Sequence, residues 1–243
     1  MAEKKSIETK PFKQKIRAMF DNIAPTYDIL NRVNTSGLDI KWRKDLVNSV
    51  ALTDPSEILD IAAGTCDLSI LLAKTCKMSH ITATDISLGM LEIGKSKVSR
   101  EQLTNISILP GDALQLEFDD NTFDVVTCAF GVRNFESIAL GYKEMYRVLK
   151  PGGMVAILEL CTPTNRFMRF GYDIHMKVNV PIISRLFGRK EGAYNYLRES
   201  VQRVPQREQM TLLMKSAGFN PTNYKVYKPG VCALYTGYKN DNY

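Results

Sequence analysis

Two periods of apolar spacing alternate along most of the chain. Near 57–62, 79–84, 106–109, 123–129 and 154–160, apolar residues form short runs such as Ile58-Leu59-Asp60-Ile61 and Phe123-Asp124-Val125-Val126. Short apolar runs of this kind predict buried strands. Between them, near 68–75, 87–99 and 136–149, apolar positions recur at helical spacing and predict the crossovers of a parallel, doubly wound sheet. Ahead of the first strand, Lys13 to Leu30 and Asp39 to Val50 read as helices. From Thr162 to Leu213 the alternation breaks into a long segment carrying Phe167, Phe170, Tyr172, Phe187, Tyr194 and Tyr196, before a last helix ends at Gly218. A lid over a substrate is the natural use of such an insertion, although i, i+3 spacing predicts that most of these aromatics pack on helix faces in the core. The chain closes with Val226-Tyr227-Lys228, a Pro229-Gly230 turn and Val231 to Tyr238, which reads as a hairpin. The expectation is one α/β domain over 1–243, with 1–50 as a helical cap and 162–213 as the lid insertion.

The first strand runs through Ala62-Ala63-Gly64-Thr65-Cys66-Asp67 into the helical pattern Leu68-Ser69-Ile70-Leu71-Leu72-Ala73. A turn of such small residues lets a ligand approach bare backbone at Gly64. N–H groups from Thr65 to Asp67, near a helix start, favour an anionic group. A dinucleotide fingerprint needs several glycines around a pyrophosphate, and Gly64 stands alone, so a cofactor bearing a carboxylate fits better. S-adenosylmethionine is such a cofactor. The second strand ends at Asp85, about 20 residues on, where α/β nucleotide folds bind ribose hydroxyls. The third leads into Gly111-Asp112-Ala113, where Asp112 is placed to accept from an adenine amino group and Ala113 offers a backbone contact. Together with Asp60 in the first strand, Gly64, Thr65, Asp85, Asp112 and Ala113 make up the candidate cofactor-binding set.

These features, with Arg147-Val148-Leu149-Lys150-Pro151-Gly152-Gly153 before an apolar strand, resemble a class I S-adenosylmethionine-dependent methyltransferase. Tyr27-Asp28-Ile29-Leu30-Asn31 followed by Trp42, then Phe130-Gly131-Val132-Arg133-Asn134, then Arg147 to Gly153 with Glu159, narrow the likeness to the menaquinone and ubiquinone biosynthesis C-methyltransferases. The resemblance runs from about Phe20 to Lys239 and includes Tyr194 to Ser200 and the closing Gly237-Tyr238-Lys239. It implies a Rossmann-like, mostly parallel sheet with an antiparallel C-terminal hairpin strand, S-adenosylmethionine as cofactor, and a polyprenylated quinol as substrate. Demethylmenaquinol is the favoured substrate and a methoxy-benzoquinol of ubiquinone synthesis the alternative. The chain departs from the family pattern at Leu30, Thr35 and Asp39, where Met, Ser and His are frequent, at Cys161 in place of Ser, and at Ala129. Where Ala129 stands, the family often has a serine near the cofactor, so one hydroxyl contact is lost.

At 243 residues and 44% hydrophobic composition, the chain is long enough for one large core. The charged start Met1-Ala2-Glu3-Lys4-Lys5 has no apolar run behind it, and no segment approaches about 18 uninterrupted apolar residues. A cytoplasmic protein, peripheral to the inner face of the membrane, is expected. Five cysteines without a C-x-x-C pair, beside only His80 and His175, make neither a disulfide framework nor a zinc site, so no metal is expected. The net charge of +6 raises nucleic acid as a partner. Lys4, Lys5, Lys10, Lys13, Lys15 and Arg17 do form a basic arm, but no interleaved aromatic platform for base stacking follows it. Transient contact with an anionic membrane surface uses the same charge. Homo-oligomer formation is left open.

Methyl transfer from a sulfonium to ring carbon needs an electron-rich carbon held near attack distance, and a quinol supplies one once a hydroxyl ionises. A phenol-like proton leaves near pH ~10, so the site must lower that value or place a base beside it. Arg133, at the end of the fourth strand, is the candidate cation for the developing phenolate, with Asn134 alongside. A guanidinium does not act as an ordinary base, so Tyr27 and Asp28 are the other catalytic candidates, Asp28 as the proton acceptor. His175 reads as a surface or packing residue and His80 as structural. Two other function classes compete: an RNA or protein methyltransferase, disfavoured because an N-P-P-Y-type motif is missing after the fourth strand, and a non-catalytic cofactor-binding module.

Overall fold

The alternating runs assemble into one seven-stranded sheet in the computed structural model, which describes residues 11–186 and 192–240. Strands β1 (Glu57–Ile61), β2 (His80–Asp85), β3 (Ile106–Pro110), β4 (Phe123–Ala129) and β5 (Leu149–Leu160) are parallel. Strand β7 (Cys232–Tyr238) lies antiparallel between β5 and the edge strand β6 (Thr222–Tyr227), giving the order β3-β2-β1-β4-β5-β7-β6. Chain direction across the sheet reverses between β1 and β4, and ligands bind beyond the carboxyl ends of strands at such a switch point.

Strand side chains alternate between two cores, which is why the strands read as continuous apolar runs. Leu59, Val126, Val155 and Ile157 enter one cluster with Tyr142, Met145 and Phe219. Ile58, Val125, Ala156 and Leu158 enter the other with Trp42, Leu46 and Leu72. Helices α1 (Phe12–Ile23), α2 (Tyr27–Asn34) and α3 (Leu38–Ala51) precede the sheet, and α4 (Asp67–Thr75), α5 (Leu88–Arg100) and α6 (Ile138–Val148) are crossovers. After β5 come α7 (Arg166–Ile174), a π-helical turn over His175–Asn179, α8 (Val180–Leu186), α9 (Gly192–Arg203) and α10 (Glu208–Ser216).

Four expectations are corrected. The helix predicted from Lys13 to Leu30 is two helices, because Pro25 supplies no N–H and the chain passes through a 3₁₀ turn at Ala24–Thr26. Strand β5 begins at Leu149, ahead of the predicted 154. Its pairing with β4 shifts register between Phe123 and Val125, and Gly152 takes φ +75, so Pro151 to Gly153 form an irregular stretch within the strand. Strand β6 begins at Thr222, ahead of Val226, since its partly exposed edge carries Asn223 and Lys225, which mask the period. Finally, Phe167 and Phe170 are 87% and 69% exposed rather than core, and α7 has no buried residue. Phe187 and the side chain of Tyr194 lie outside the described residues.

The motif around Arg147 is architectural. Its guanidinium donates to the carbonyls of Leu116 (2.9 Å) and Phe118 (2.7 Å), tying down the loop before β4. Lys239 does similar work at the chain's end, where its buried Nζ donates to the carbonyls of Tyr146 (2.9 Å) and Leu149 (2.8 Å) at the end of α6.

Candidate active site

Beyond β1 the backbone turns through left-handed conformations at Ala62, Gly64 and Cys66, with φ of 52, 57 and 62. Such φ values are unfavourable for residues with a Cβ, and their cost is offset by bonds that hold the turn. Ala63 N donates to Thr84 O (3.0 Å), and Gly64 N donates to Asp85 Oδ2 (2.9 Å). The second oxygen of Asp85 accepts from Ser87 N (2.8 Å). Burial pushes the Asp85 pKa up, and the Ser87 and Gly64 N–H groups oppose that rise. A carboxylate has about four acceptor positions, so Asp85 keeps capacity for a ligand's hydroxyls.

A Cβ built on Gly64 would meet nothing within 4 Å, because Gly64 faces a cavity of about 110 Å³. Asp85, Asp112, Ala113, Tyr27 and Asn134 also line it, and so does Ala129 with its methyl in place of a hydroxyl. Helix α1 forms the opposite wall with Phe12, Lys13, Ile16 and Phe20. Two contacts hold α1 there: Lys13 pairs with Asp112, and Asp21 accepts from Ser87 Oγ (2.6 Å) and Gly89 N (3.0 Å) at the start of α5. The sequence carries no local signal for this wall, since the four residues belong to an ordinary amphipathic helix. Of the basic arm, Lys13 is thus engaged with Asp112 and Arg17 lies 3.8 Å from Asp21, while Lys4, Lys5 and Lys10 fall outside the described residues.

Asp60, Thr65 and Asp28 line neither this cavity nor the larger one beside it. Asp60 accepts from Ser69 and Thr127 hydroxyls, and burial pushes its pKa up to about 6 against those bonds. Thr65 Oγ1 donates to Asp28 Oδ1 (2.6 Å), and Lys97 Nζ donates to Asp28 Oδ2 (2.9 Å). The carboxylate of Asp28 is therefore committed to a cation and a hydroxyl. Lys97 also pairs with Asp67, Asp67 with Arg32, Arg32 with Asp39, and Asp39 with Arg43. Thr35 Oγ1 adds a bond to Asp39 (2.9 Å), so two of the departures from the family pattern satisfy each other. This chain of charges binds α2 and α3 to the Gly64 turn. Asp67 stands in the first turn of α4, and Cys66 N donates to Ala63 O (2.9 Å).

A second, larger cavity of about 420 Å³ adjoins the first, and Tyr27 and Phe130 line both. Its walls are mostly apolar, with Trp42, Leu160, Met168 and Val180 among them. Phe130 holds φ +61, a strained value for a bulky residue, between Trp42 (centroids 6.4 Å) and the Arg43 guanidinium (5.1 Å). Its carbonyl accepts from Arg133, which also donates to Glu159 Oε1 (2.8 Å) and lines the larger cavity. Burial pulls the Arg133 pKa down, but the buried Glu159 carboxylate together with Tyr27 and Tyr196 raises it on balance, so the guanidinium is a permanent cation. Asn134 accepts from Tyr196 Oη (3.0 Å) at its Oδ1 and stays on the side of the smaller cavity. The geometry thus brings Tyr27, Arg133 and Asn134 to the seam and leaves Asp28 behind it.

His175, read from sequence as a surface or packing residue, lines the larger cavity, and its Nε2 bonds the carbonyl of Asn34 (3.0 Å). Asn34 and Arg43 are further lining residues that no local motif marks as functional, and they meet Phe130 of the motif after β4. They are distant in sequence and meet only because α2, α3 and the loop after β4 converge.

A family model described as the ubiE/COQ5 methyltransferase family matches residues 8–239. A demethylmenaquinone methyltransferase of Bacteroides fragilis is 40% identical over 227 residues, covering 93% of each chain. A ubiquinone/menaquinone biosynthesis C-methyltransferase of Geotalea daltonii is 41% identical over 233 residues, covering 93% of this chain and 97% of its own. A solved SAM-dependent methyltransferase from Thermotoga maritima shares the fold, with TM-score 0.64 at 17% identity over 92% of this chain and 99% of that one.

Proposed function

The chain belongs to the ubiE/COQ5 methyltransferase family, and from that membership we propose that it uses S-adenosylmethionine to C-methylate a polyprenylated quinol, demethylmenaquinol above all. The observation that carries this reading is the pair of adjoining cavities, one polar at Asp85 and Asp112 and one apolar, with the buried Arg133 guanidinium beside their shared wall. The relative named demethylmenaquinone methyltransferase in Bacteroides fragilis supports the naphthoquinol over the benzoquinol.

Asp85, Gly64, Asp112 and Ala113 fit the cofactor: the free acceptor positions of Asp85 suit vicinal hydroxyls, and the open space before Gly64 admits a ligand against backbone. S-adenosylmethionine supplies a methyl group on a positively charged sulfur. The chain's own residues do the rest. Tyr27 and Phe130 wall the seam and exclude water, which favours a reaction in which opposite charges are annihilated. Arg133, fixed by Glu159 and the Phe130 carbonyl, holds a positive charge where the ring oxygen becomes anionic. Helices α7 to α9 act as the lid, and the prenyl tail follows the apolar wall of α7 outward. No helix among the described residues is long and apolar enough to cross a membrane, so we assign membrane contact to the exposed stripe Phe167, Phe170, Ile174 and Val178, flanked by Arg166 and Lys177.

Incubation with methyl-labelled cofactor and, separately, demethylmenaquinol, its quinone, a methoxy-benzoquinol and RNA tests the reading. Label in the reduced naphthoquinol alone is the expected result. Label confined to the benzoquinol moves the assignment to ubiquinone synthesis, and label in RNA or equal label in quinol and quinone sinks it.

A further inference from the structure

Two buried polar atoms on the substrate cavity have no partner among the described residues, and they are opposite in kind. One is Arg133 Nε, a donor on a side chain only 7% exposed. The other is Asn34 Oδ1, an acceptor on the last residue of α2. Both residues line the cavity of about 420 Å³ and also the small space of about 60 Å³ that adjoins it. The other buried side-chain atoms without partners, on Tyr142, Thr222 and Tyr227, lie on none of these cavities. Buried polar atoms are nearly always paired, so an orphaned donor and an orphaned acceptor on one apolar cavity mark the seat of a ligand's polar atom. The other charged groups on that wall are already satisfied: Asp39 accepts from Arg43, Arg32 and Thr35. Asn34 is also held in place, since its carbonyl bonds His175 of the lid segment (3.0 Å).

A hydroxyl accepts and donates at once, and a ketone carbonyl only accepts. We infer that Asn34 recognises the oxidation state of the ring: a quinol hydroxyl accepts from Arg133 Nε–H and donates to Asn34 Oδ1. This assignment rests on the quinol methylation proposed above. A quinone in the same seat satisfies Arg133 but leaves Asn34 Oδ1 buried and unpaired, which penalises its binding. Sites built around a hydroxyl's hydrogen bond reject analogues lacking it far more strongly than apolar pockets reject a methyl group. Asn34 therefore keeps the oxidised ring, which cannot be methylated, from occupying the site.

Binding tests this without turnover. Protein saturated with S-adenosylhomocysteine, which has no methyl to give, is titrated anaerobically with short-chain demethylmenaquinol and with its quinone. Trp42, the only tryptophan, lines the cavity and reports occupancy by fluorescence. The wild type is expected to bind the quinol about tenfold or more tightly than the quinone. Asn34→Leu should bring that ratio within about twofold while leaving the affinity for S-adenosylhomocysteine unchanged, and Asn34→Asp, still an acceptor, should keep the preference. If a melting curve shows that Asn34→Leu is unfolded, Asn34→Ala carries the same expectation. A wild type that binds and methylates the quinol, with an unchanged ratio in the apolar variant, overturns the role of Asn34 alone. A wild type that binds neither form overturns the quinol reading as well.

Discussion

Asp60 and Arg133 are both nearly dry, and they show how burial serves different ends at single residues. Asp60 is 1% exposed, and its pKa rises from 3.8 to about 6 because burial outweighs the Ser69 and Thr127 hydroxyls. Its protonated form favours folding: that contribution is complete below pH 3.8 and is lost as pH climbs through about 6, at a cost on the order of 3 kcal/mol. Asp60→Asn removes the titration, so the stability difference between variant and wild type, measured by urea unfolding, should grow in the variant's favour between pH 4 and pH 7. A difference that stays constant across that range would show that Asp60 does not titrate there. Arg133 is balanced by a carboxylate, Glu159, itself 1% exposed. Arg133→Gln should lower kcat by about 100-fold, as removal of one donor to a developing oxyanion does, with cofactor affinity nearly intact. It should also cost about 3–5 kcal/mol of stability by leaving Glu159 unpaired. Adding Glu159→Gln should recover the melting temperature but not kcat, and a recovery of both would deny Arg133 its role in the chemistry.

Elements meet at this site through charges rather than apolar contact alone. Lys97 of α5 joins Asp28 of α2 to Asp67 at the start of α4, and Thr65 of the Gly64 turn is bonded to the same Asp28. Burial pushes the Asp67 carboxyl up, but Lys97, Arg43 and Arg32 pull it below its ordinary value. Its stabilising share is therefore present above the unfolded pKa and is lost as pH falls. Lys97→Met leaves two carboxylates facing each other without their shared cation and should cost about 1–3 kcal/mol. Because the Gly64 turn loses its tie to α2, cofactor affinity should fall severalfold by calorimetry. A variant with wild-type affinity and melting temperature would make the network decorative.

At the scale of the molecule, the apolar stripe on α7 and the turn after it leads from solvent to the mouth of the larger cavity. Phe167 and Phe170 are among its most exposed members, and each aromatic side chain buried in lipid contributes roughly 1.5–3 kcal/mol. The double variant Phe170→Ser with Ile174→Ser, at exposed positions that do not line the larger cavity, should weaken binding to anionic vesicles at least tenfold and raise KM for long-chain quinol. For a water-soluble, short-chain quinol KM should hardly move. Equal KM shifts for the two substrates would place these residues in the catalytic site instead of at a membrane. Raised salt should release the wild type from the vesicles, since the flanking Arg166 and Lys177 contribute by a screened attraction.

The sequence by itself determined whatever depends on neighbours along the chain. Strands β1, β2, β4 and β5 could be read because they are buried on both faces, and the Gly64 turn and the Asp85 strand end could be read because backbone geometry and strand register lie within a short span. The resemblance singled out Tyr27, Arg133 and Asn134, which line the adjoining cavities, since they sit inside contiguous motifs. Tertiary structure alone decided where side chains ended. Asp28 lies one residue from Tyr27, yet successive helical positions point about 100° apart. Tyr27 therefore lines both cavities, whereas Asp28 turns to Lys97. Asn34, His175 and the α1 wall come from segments that hold no chemistry until they pack together. Phe167 and Phe170 repeat the same lesson in reverse, because apolar spacing marks a helix face without saying whether protein, substrate or lipid covers it.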